Sequence, residues 1–545
     1  MTRTDSRRGV RPARIACGLA LLALCACAPN RAYRTHLVDP GQDRRCERPG
    51  IGTTGAPPPM PEGCAQVSPE AVSGLYELHF VEFDDQGWLF PDAGPTPAVA
   101  DALSLAPSDQ IEHLMTRLRS LLAQRKDLSI VVFVHGWKHN AQADDANVQE
   151  FRALLEAAGA EERDRAGAGG NPRTVVGVYV AWRGKSWSIP DPVLSLTFWA
   201  RKEAARRVSI GSARELFARL RSLRTYYNQL LPDEDPGAAP APAAAAVRAP
   251  VVEQTGASSE QGSRRPRIRT LMIGHSFGGL ILYAAMSGPL IESLSAQRDL
   301  ARPGVRPASP ERPADMILLI NPAFEASRYE ALDHVSRRYA PPTFQPPLLV
   351  SVTSTKDWAT AIAFPIGRSV NTLFERETTP EQGTAMKKTP GHIDQYLTHR
   401  LRAHAPGPVP VPVPVTEGAE KAGAPAGADN AQCPGWKSEA ELKALHGDAL
   451  GQAVRLNKTR EAQNAAAFFQ QNLGPDHLLK PDWTRTFCGG SYLTMAHGGG
   501  GTMRANAMVW NIQVDGDVIR NHDDVMNPVF RAFMRQLYSD VSTHP

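Results

Sequence analysis

The hexapeptide Gly274-His275-Ser276-Phe277-Gly278-Gly279 lies between the mostly apolar run Ile268 to Ile273 and the apolar stretch Leu280 to Met286. Read as strand, tight turn and helix, this order leaves the backbone little choice. The small residues around Ser276 let the chain bend sharply enough to lift the serine side chain above a sheet. A bare G-x-S-x-G also arises by chance, as a serine in a glycine-rich surface turn. Here both flanks carry the apolar patterns that a buried strand and a buried helix require.

The rest of the chain repeats that alternation. Leu75 to Phe83, Asp85-Gln86-Gly87 and Trp88 to Phe90 read as a β-hairpin at the edge of a sheet. Ser108 is placed to cap a helix whose apolar positions Ile111, Leu114, Met115, Leu118 and Leu122 recur at helical spacing. Buried strands follow at Ile130 to Val134, Thr174 to Val180, Asp315 to Ile320, Leu348 to Thr353 and Met508 to Val514, with a last helix from about Pro528 to Tyr538. Strands alternating with helices predict the α/β class, with a mainly parallel sheet covered on both faces. Functional residues in such a sheet belong at the carboxyl ends of strands.

Three such strand ends carry chemistry. Ile130 to Val134 runs into His135-Gly136-Trp137, and Leu348 to Thr353 runs into Ser354-Thr355-Lys356-Asp357. Met508 to Val514 is followed by Asn521-His522-Asp523-Asp524. With the glycine-flanked Ser276, these residues resemble the α/β-hydrolase superfamily, and the run His135 to Ala141 resembles a group of bacterial members. The resemblance covers about 75–400 and 508–538. It implies Ser276 as nucleophile, Asp357 as acid and His522 as base, in the chain order Ser, acid, His. It also implies that the backbone N–H groups of Trp137 and Phe277 form an oxyanion hole, each donor worth about 3 to 4 kcal/mol in the transition state. Neither a metal nor an organic cofactor is called for.

Rivals exist for two of these roles. Glu325, after the preceding strand, competes with Asp357. Among 15 histidines, His522 follows the last strand, whereas His392 has no strand before it, His399 sits in an expected helix and His497 lies near glycines. His135 is expected to brace its loop. His139 and Asn140 either line the pocket mouth or support the helix starting near Asp145.

Composition bounds the remaining classes. The 545 residues carry a net charge of +4, too mild to argue for nucleic acid, and no cysteine spacing suits zinc. Arg3, Arg7, Arg8, Arg11 and Arg14 precede the apolar run Ile15 to Ala26, which is too short to span a bilayer and reads as an export signal. It ends in Leu24-Cys25-Ala26-Cys27, which resembles a bacterial lipobox and implies lipidation of Cys27, a membrane anchor and an outer-membrane location facing the periplasm. Ordinary signal cleavage is the alternative. Four cysteines then remain, and proximity favours Cys46 with Cys64 and Cys433 with Cys488 over the other pairings or free thiols.

The 46 prolines and 44 glycines concentrate in connections. Residues 1–27 read as leader, 28–70 as a flexible tether, 231–266 as a disordered insertion, and 401–504 as a Pro-rich linker plus helical insertion. That leaves 71–400 and 505–545 for the folded domain. Residues 187–230 carry an apolar face at Leu216, Leu220 and Leu223 with arginines expected in solvent opposite; a lid is the alternative. The resemblance points to an anchored serine hydrolase acting on carboxylic esters, lipid or other acyl. A catalytically idle envelope scaffold with the same fold is the competing function.

Overall fold

The computed structural model describes residues 30–40, 43–49, 59–90, 109–167, 170–185, 198–230, 266–299, 310–339, 341–372, 375–403, 433–496, 505–525 and 527–543. The leader with Cys27, the cap at Ser108, His497, residues 231–265 and residues 404–432 of the Pro-rich linker all lie outside the described residues.

The strands are β1 (His36–Leu37), β2 (Glu47–Arg48), β3 (Val67–Ser68), β4 (Glu70–Val72), β5 (Tyr76–Phe83), β6 (Leu128–Val134), β7 (Thr174–Trp182), β8 (Ile268–His275), β9 (Met316–Ile320), β10 (Leu349–Ser354), β11 (His399–Ala403), β12 (Thr484–Phe487), β13 (Ser491–Met495) and β14 (Val509–Val514). Among the described residues, all but β1 and β3 join one 12-stranded sheet in the order β12-β13-β11-β14-β10-β9-β8-β6-β7-β5-β4-β2. From β11 to β5 every neighbouring pair is parallel. The alternation of strand and helix forces this, since parallel neighbours need crossover connections that pack on the faces.

Strand β6 shows how the faces are filled. Leu128, Ile130, Val132 and Val134 enter one core, and Val131 and Phe133 the other. The first core holds side chains from helices Asp109–Ala123, Phe198–Ile210, Ala213–Thr225, Phe277–Asp299 and Ala326–Arg338. The second holds those of Ala146–Ala166, Gly447–Asn472 and Pro528–Thr543. Each such Leu, Ile, Val or Phe contributes about 1.5–3 kcal/mol by burial. Helix Phe277–Asp299 is long and apolar enough over Phe277–Ala296 to cross a membrane by composition. Its Leu280, Ile281, Leu282 and Leu290 are buried in the first core, which accounts for that hydropathy.

Several expectations change. Within the expected tether 28–70, the described residues 33–40, 43–49 and 59–70 are part of the domain: Arg34 is fully buried, donating to Glu70 (2.7 Å) and to the Ala141 carbonyl (2.9 Å), and Arg152 donates to the same carboxylate. Two buried guanidiniums on one carboxylate offset a desolvation cost that a lone charge could not. Strand β5 is not at the edge, because β4 and β2 add outside it; its hairpin partner is reduced to the single bridge Phe83 to Leu89. His399 begins strand β11 rather than sitting in a helix. The insertion does carry helices, Glu439–Lys443 and Gly447–Asn472, but it also supplies β13, antiparallel to β11, and β12, antiparallel to β13, which together extend the sheet.

In 198–230, Leu216 and Leu220 are buried as expected. The basic residues are not all in solvent, however: Arg201, Lys202 and Arg224 are buried against Asp85, Glu325 and Asp315 respectively. Residues 186–197 lie outside the described residues. Both favoured disulfides, Cys46–Cys64 and Cys433–Cys488, are formed.

Candidate active site

Strand β8 ends at His275, and helix Phe277–Asp299 begins one residue beyond Ser276. Ser276 is therefore a one-residue turn with φ of 55°. That left-handed backbone is unusual for a residue with a Cβ, and it persists only where surroundings enforce it. Here Ser276 N–H donates to the Ile320 carbonyl (2.9 Å), while its own carbonyl accepts from Ala323 N–H (3.1 Å). The helix must also pass against β6: a Cβ on Gly278 would stand 2.0 Å from the Val134 carbonyl oxygen. Only glycine fits there.

Asp357 follows β10, and His522 lies between β14 and the last helix. The fold brings the two together with Ser276. His522 Nε2 is 2.7 Å from Ser276 Oγ, and His522 Nδ1 is 2.9 Å from each Asp357 carboxylate oxygen. Asp357 and Ser276 are fully buried, and the His522 side chain is 14% exposed. The carboxylate also accepts from Ala359 N–H (2.9 Å), Thr360 N–H (3.3 Å) and Thr360 Oγ1–H (2.5 Å).

Electrostatics follow from that geometry. Burial pushes the Asp357 carboxyl up, but the His522 charge and the hydrogen bonds from His522 and Thr360 outweigh it and hold the group below the ordinary carboxylate value. Burial likewise pushes the His522 imidazole down. The Asp357 charge and hydrogen bond, with Asp523 nearby, more than reverse this, and the net direction is upward. An ionised carboxylate thus fixes Nδ1–H and leaves Nε2 to face the serine. Such a line can accept the hydroxyl proton as the oxygen attacks an electrophile.

Trp137 and Phe277 flank this line. Phe277 is the first residue of its helix, where backbone N–H groups have no intrahelical acceptor. The loop bearing Trp137 passes directly over the serine, since a Cβ on Gly136 would stand 2.8 Å from Ser276 Cβ. Their side chains are buried in an aromatic cluster in which Phe198 meets Trp137 (5.2 Å) and Phe277 (4.8 Å). The loop is braced by His135, whose Nδ1 donates to the Gly136 carbonyl (2.8 Å) and whose Nε2 accepts from Trp182 N–H (3.1 Å). Burial pushes its pKa down to about 4, so it keeps this neutral form.

The other candidates fall elsewhere. Glu325 is tied to Lys202, Arg328 (3.0 Å) and Arg368 (3.1 Å), an ionic knot with a buried Lys202–Glu325 pair that joins three helices. His139 and Asn140 both hold Asp145, the N-cap of helix Ala146–Ala166. His399 is fully buried among Trp483 and Trp510. His392 lies 3.0 Å from Thr360 Oγ1, on the far side of Asp357.

Sequence reasoning missed Asn321, Thr360 and the role of His275. Asn321, with φ of 45°, donates through Nδ2 to the His522 carbonyl (3.1 Å) and accepts from Ser354 N–H (2.9 Å). His275, His522 and Asp523 place ligand-type atoms within 4.8 Å of one another. His275 Nε2 is taken by the His522 carbonyl, and both His522 nitrogens by Ser276 and Asp357, so the ring atoms serve the hydrogen-bonded line.

Compared with protein-family models, curated proteins and solved structures, the chain matches none.

Proposed function

We propose that this chain is a serine hydrolase of the α/β-hydrolase type, cleaving carboxylic esters through an acyl-enzyme. One observation carries the reading: Ser276 Oγ, the His522 ring and the Asp357 carboxylate form a continuous hydrogen-bonded line at a positive-φ turn between strand and helix. In this reading Ser276 Oγ attacks the carbonyl carbon as His522 Nε2 takes its proton. The oxyanion forms against the Trp137 and Phe277 N–H groups. The C–O bond then breaks, and His522 returns the proton to the leaving alkoxide. Water, deprotonated by the same imidazole, attacks the acyl-enzyme and releases the acid.

The lipobox-like Leu24 to Cys27 supports an envelope protein anchored through Cys27, which makes lipid and other membrane-borne acyl esters the substrate class. The test is covalent labelling of the full chain, in detergent, with a fluorophosphonate probe. Wild type should label, and Ser276→Ala and His522→Ala should not. An unlabelled wild type would reject the hydrolase reading in favour of the scaffold.

A further inference from the structure

The acid of the hydrogen-bonded line is itself held from behind. His522 Nδ1 stands 2.9 Å from both oxygens of Asp357, so the imidazole does not choose between them and leaves the plane of the carboxylate undetermined. The other donors make the choice. Backbone N–H groups of Ala359 and Thr360 serve Oδ1, and among the described residues the Thr360 hydroxyl is the one side chain outside the line that serves Oδ2.

A hydroxyl has one proton. An ionised carboxylate only accepts, so at 2.5 Å that proton points at Oδ2. What remains on Thr360 Oγ1 is a lone pair, and His392 Nε2 lies 3.0 Å from it. That nitrogen must therefore be the donor, which sets the tautomer of His392.

The position of His392 is not incidental. It closes the short turn Pro390–His392, whose carbonyls at Pro390 and Gly391 accept from Asn511 (3.0 Å) and Gln513 (3.3 Å) on β14. The same turn presses on β10, for a Cβ on Gly391 would stand 2.1 Å from Thr353 Oγ1. Strand β10 delivers Asp357 and β14 delivers His522, so His392 is referenced to the two strands whose products must meet.

We propose that His392 and Thr360 are positioning residues: His392 orients the Thr360 hydroxyl, which fixes the Asp357 carboxylate so that His522 is held in the plane that reaches Ser276. The inference rests on the hydrolase reading above and extends it by two residues that touch neither substrate nor the reacting serine.

The experiment measures the rate of fluorophosphonate labelling, and kcat and KM on a short soluble ester, for the full chain in detergent, with thermal unfolding in parallel. Thr360→Val and His392→Phe should each lower the labelling rate and kcat about tenfold, the range expected on losing a hydrogen bond to a buried charge, with KM unchanged. Thr360→Ser keeps the hydroxyl, and His392→Gln places an amide N–H where Nε2 was; both should recover to within about threefold of wild type. The double variant Thr360→Val with His392→Phe should be no slower than Thr360→Val alone, because both act through one hydroxyl.

Labelling of His392→Phe at the wild-type rate would overturn the inference, as would failure of His392→Gln to recover, or penalties that multiply in the double variant. The two conservative variants decide the matter even if the Val and Phe variants unfold. An unlabelled wild type overturns the hydrolase reading and this inference together, whereas a labelled wild type with an unaffected His392→Phe overturns this inference alone.

Discussion

The imidazole of His275 donates through Nε2 to the backbone carbonyl of His522, 3.0 Å away. A carbonyl only accepts, so the proton sits on Nε2, and burial with the neighbouring His522 keeps the ring neutral by pushing its pKa down to about 3. The residue before the serine thus holds the loop that carries the His522 ring. Asn321 Nδ2 holds the same carbonyl from the other side (3.1 Å). His275→Ala is expected to lower kcat about tenfold with little change in KM, the cost of one buried hydrogen bond that positions the ring. Asn321→Ala should cost more, because it also strands the Ser354 N–H and puts alanine in a left-handed backbone that asparagine tolerates better. A thermal transition lowered by about 2 kcal/mol of stability, alongside the loss of kcat, is the expected pair of readings.

The pH profile has a defined sign. Catalysis in the proposed mechanism needs neutral His522, and its pKa lies above the ordinary histidine value because Asp357 and Asp523 outweigh the burial that lowers it. A raised pKa keeps the base protonated to higher pH. The acidic limb of kcat/KM should therefore have its midpoint above 6.5 rather than below it. Asp357→Asn removes the main source of the shift and should cost about 10⁴-fold in kcat. A wild-type midpoint below 6.5 would contradict the ion pair.

Gly136 admits no side chain. A methyl there would meet Ser276 Cβ at 2.8 Å and His275 Nδ1 at 3.0 Å, so either the serine or the loop bearing Trp137 must shift. Gly136→Ala is expected to cut kcat about 10²-fold or more, since displacement of about 1 Å at a reacting group costs that much. Far-ultraviolet circular dichroism should stay that of wild type.

Glu325 and Asp357 are both acids after sheet strands, and their variants should separate cleanly. Glu325 is buried against Lys202 and also pairs with Arg328 and Arg368. Glu325→Gln leaves the Lys202 ammonium uncompensated, and breaking a buried pair in this way costs about 3–5 kcal/mol. Denaturant titration should show that loss, while the folded fraction still labels with a fluorophosphonate. Failure of the folded fraction to label would move the acid to Glu325.

What could be read from the sequence was local in chain or in pattern. The bend at Ser276 follows from six adjacent residues, and the apolar strands Leu128–Val134 and Leu349–Ser354 announce themselves by composition. The α/β-hydrolase resemblance, laid on the order of strands, nominated Asp357 and His522, which the fold does bring to within 2.9 Å of each other. The supporting residues were not legible, because their meaning lies in partners far along the chain. His392 reaches Thr360 across 32 positions, and Asn321 reaches His522 across 201. Neither has a local pattern. The short strands β12 and β13 escaped notice because Thr484–Phe487 and Ser491–Met495 mix polar and apolar residues too briefly for a clear period. The N-terminal arm looked like a tether because Pro, Gly and Arg dominate it. Its arginine at position 34 is instead matched by Glu70, a pairing that only the fold reveals.

That arm sets the length of the leash. Tyr33 N–H donates to the Glu82 carboxylate at the carboxyl end of β5, the same end of the parallel strands from which Ser276 projects. Five residues lie between Cys27 and Tyr33, a path of six residue steps that spans about 20 Å at full extension. A lipid on Cys27 would hold the strand ends that carry Ser276 within that distance of a bilayer. An anchor there would set orientation as much as address.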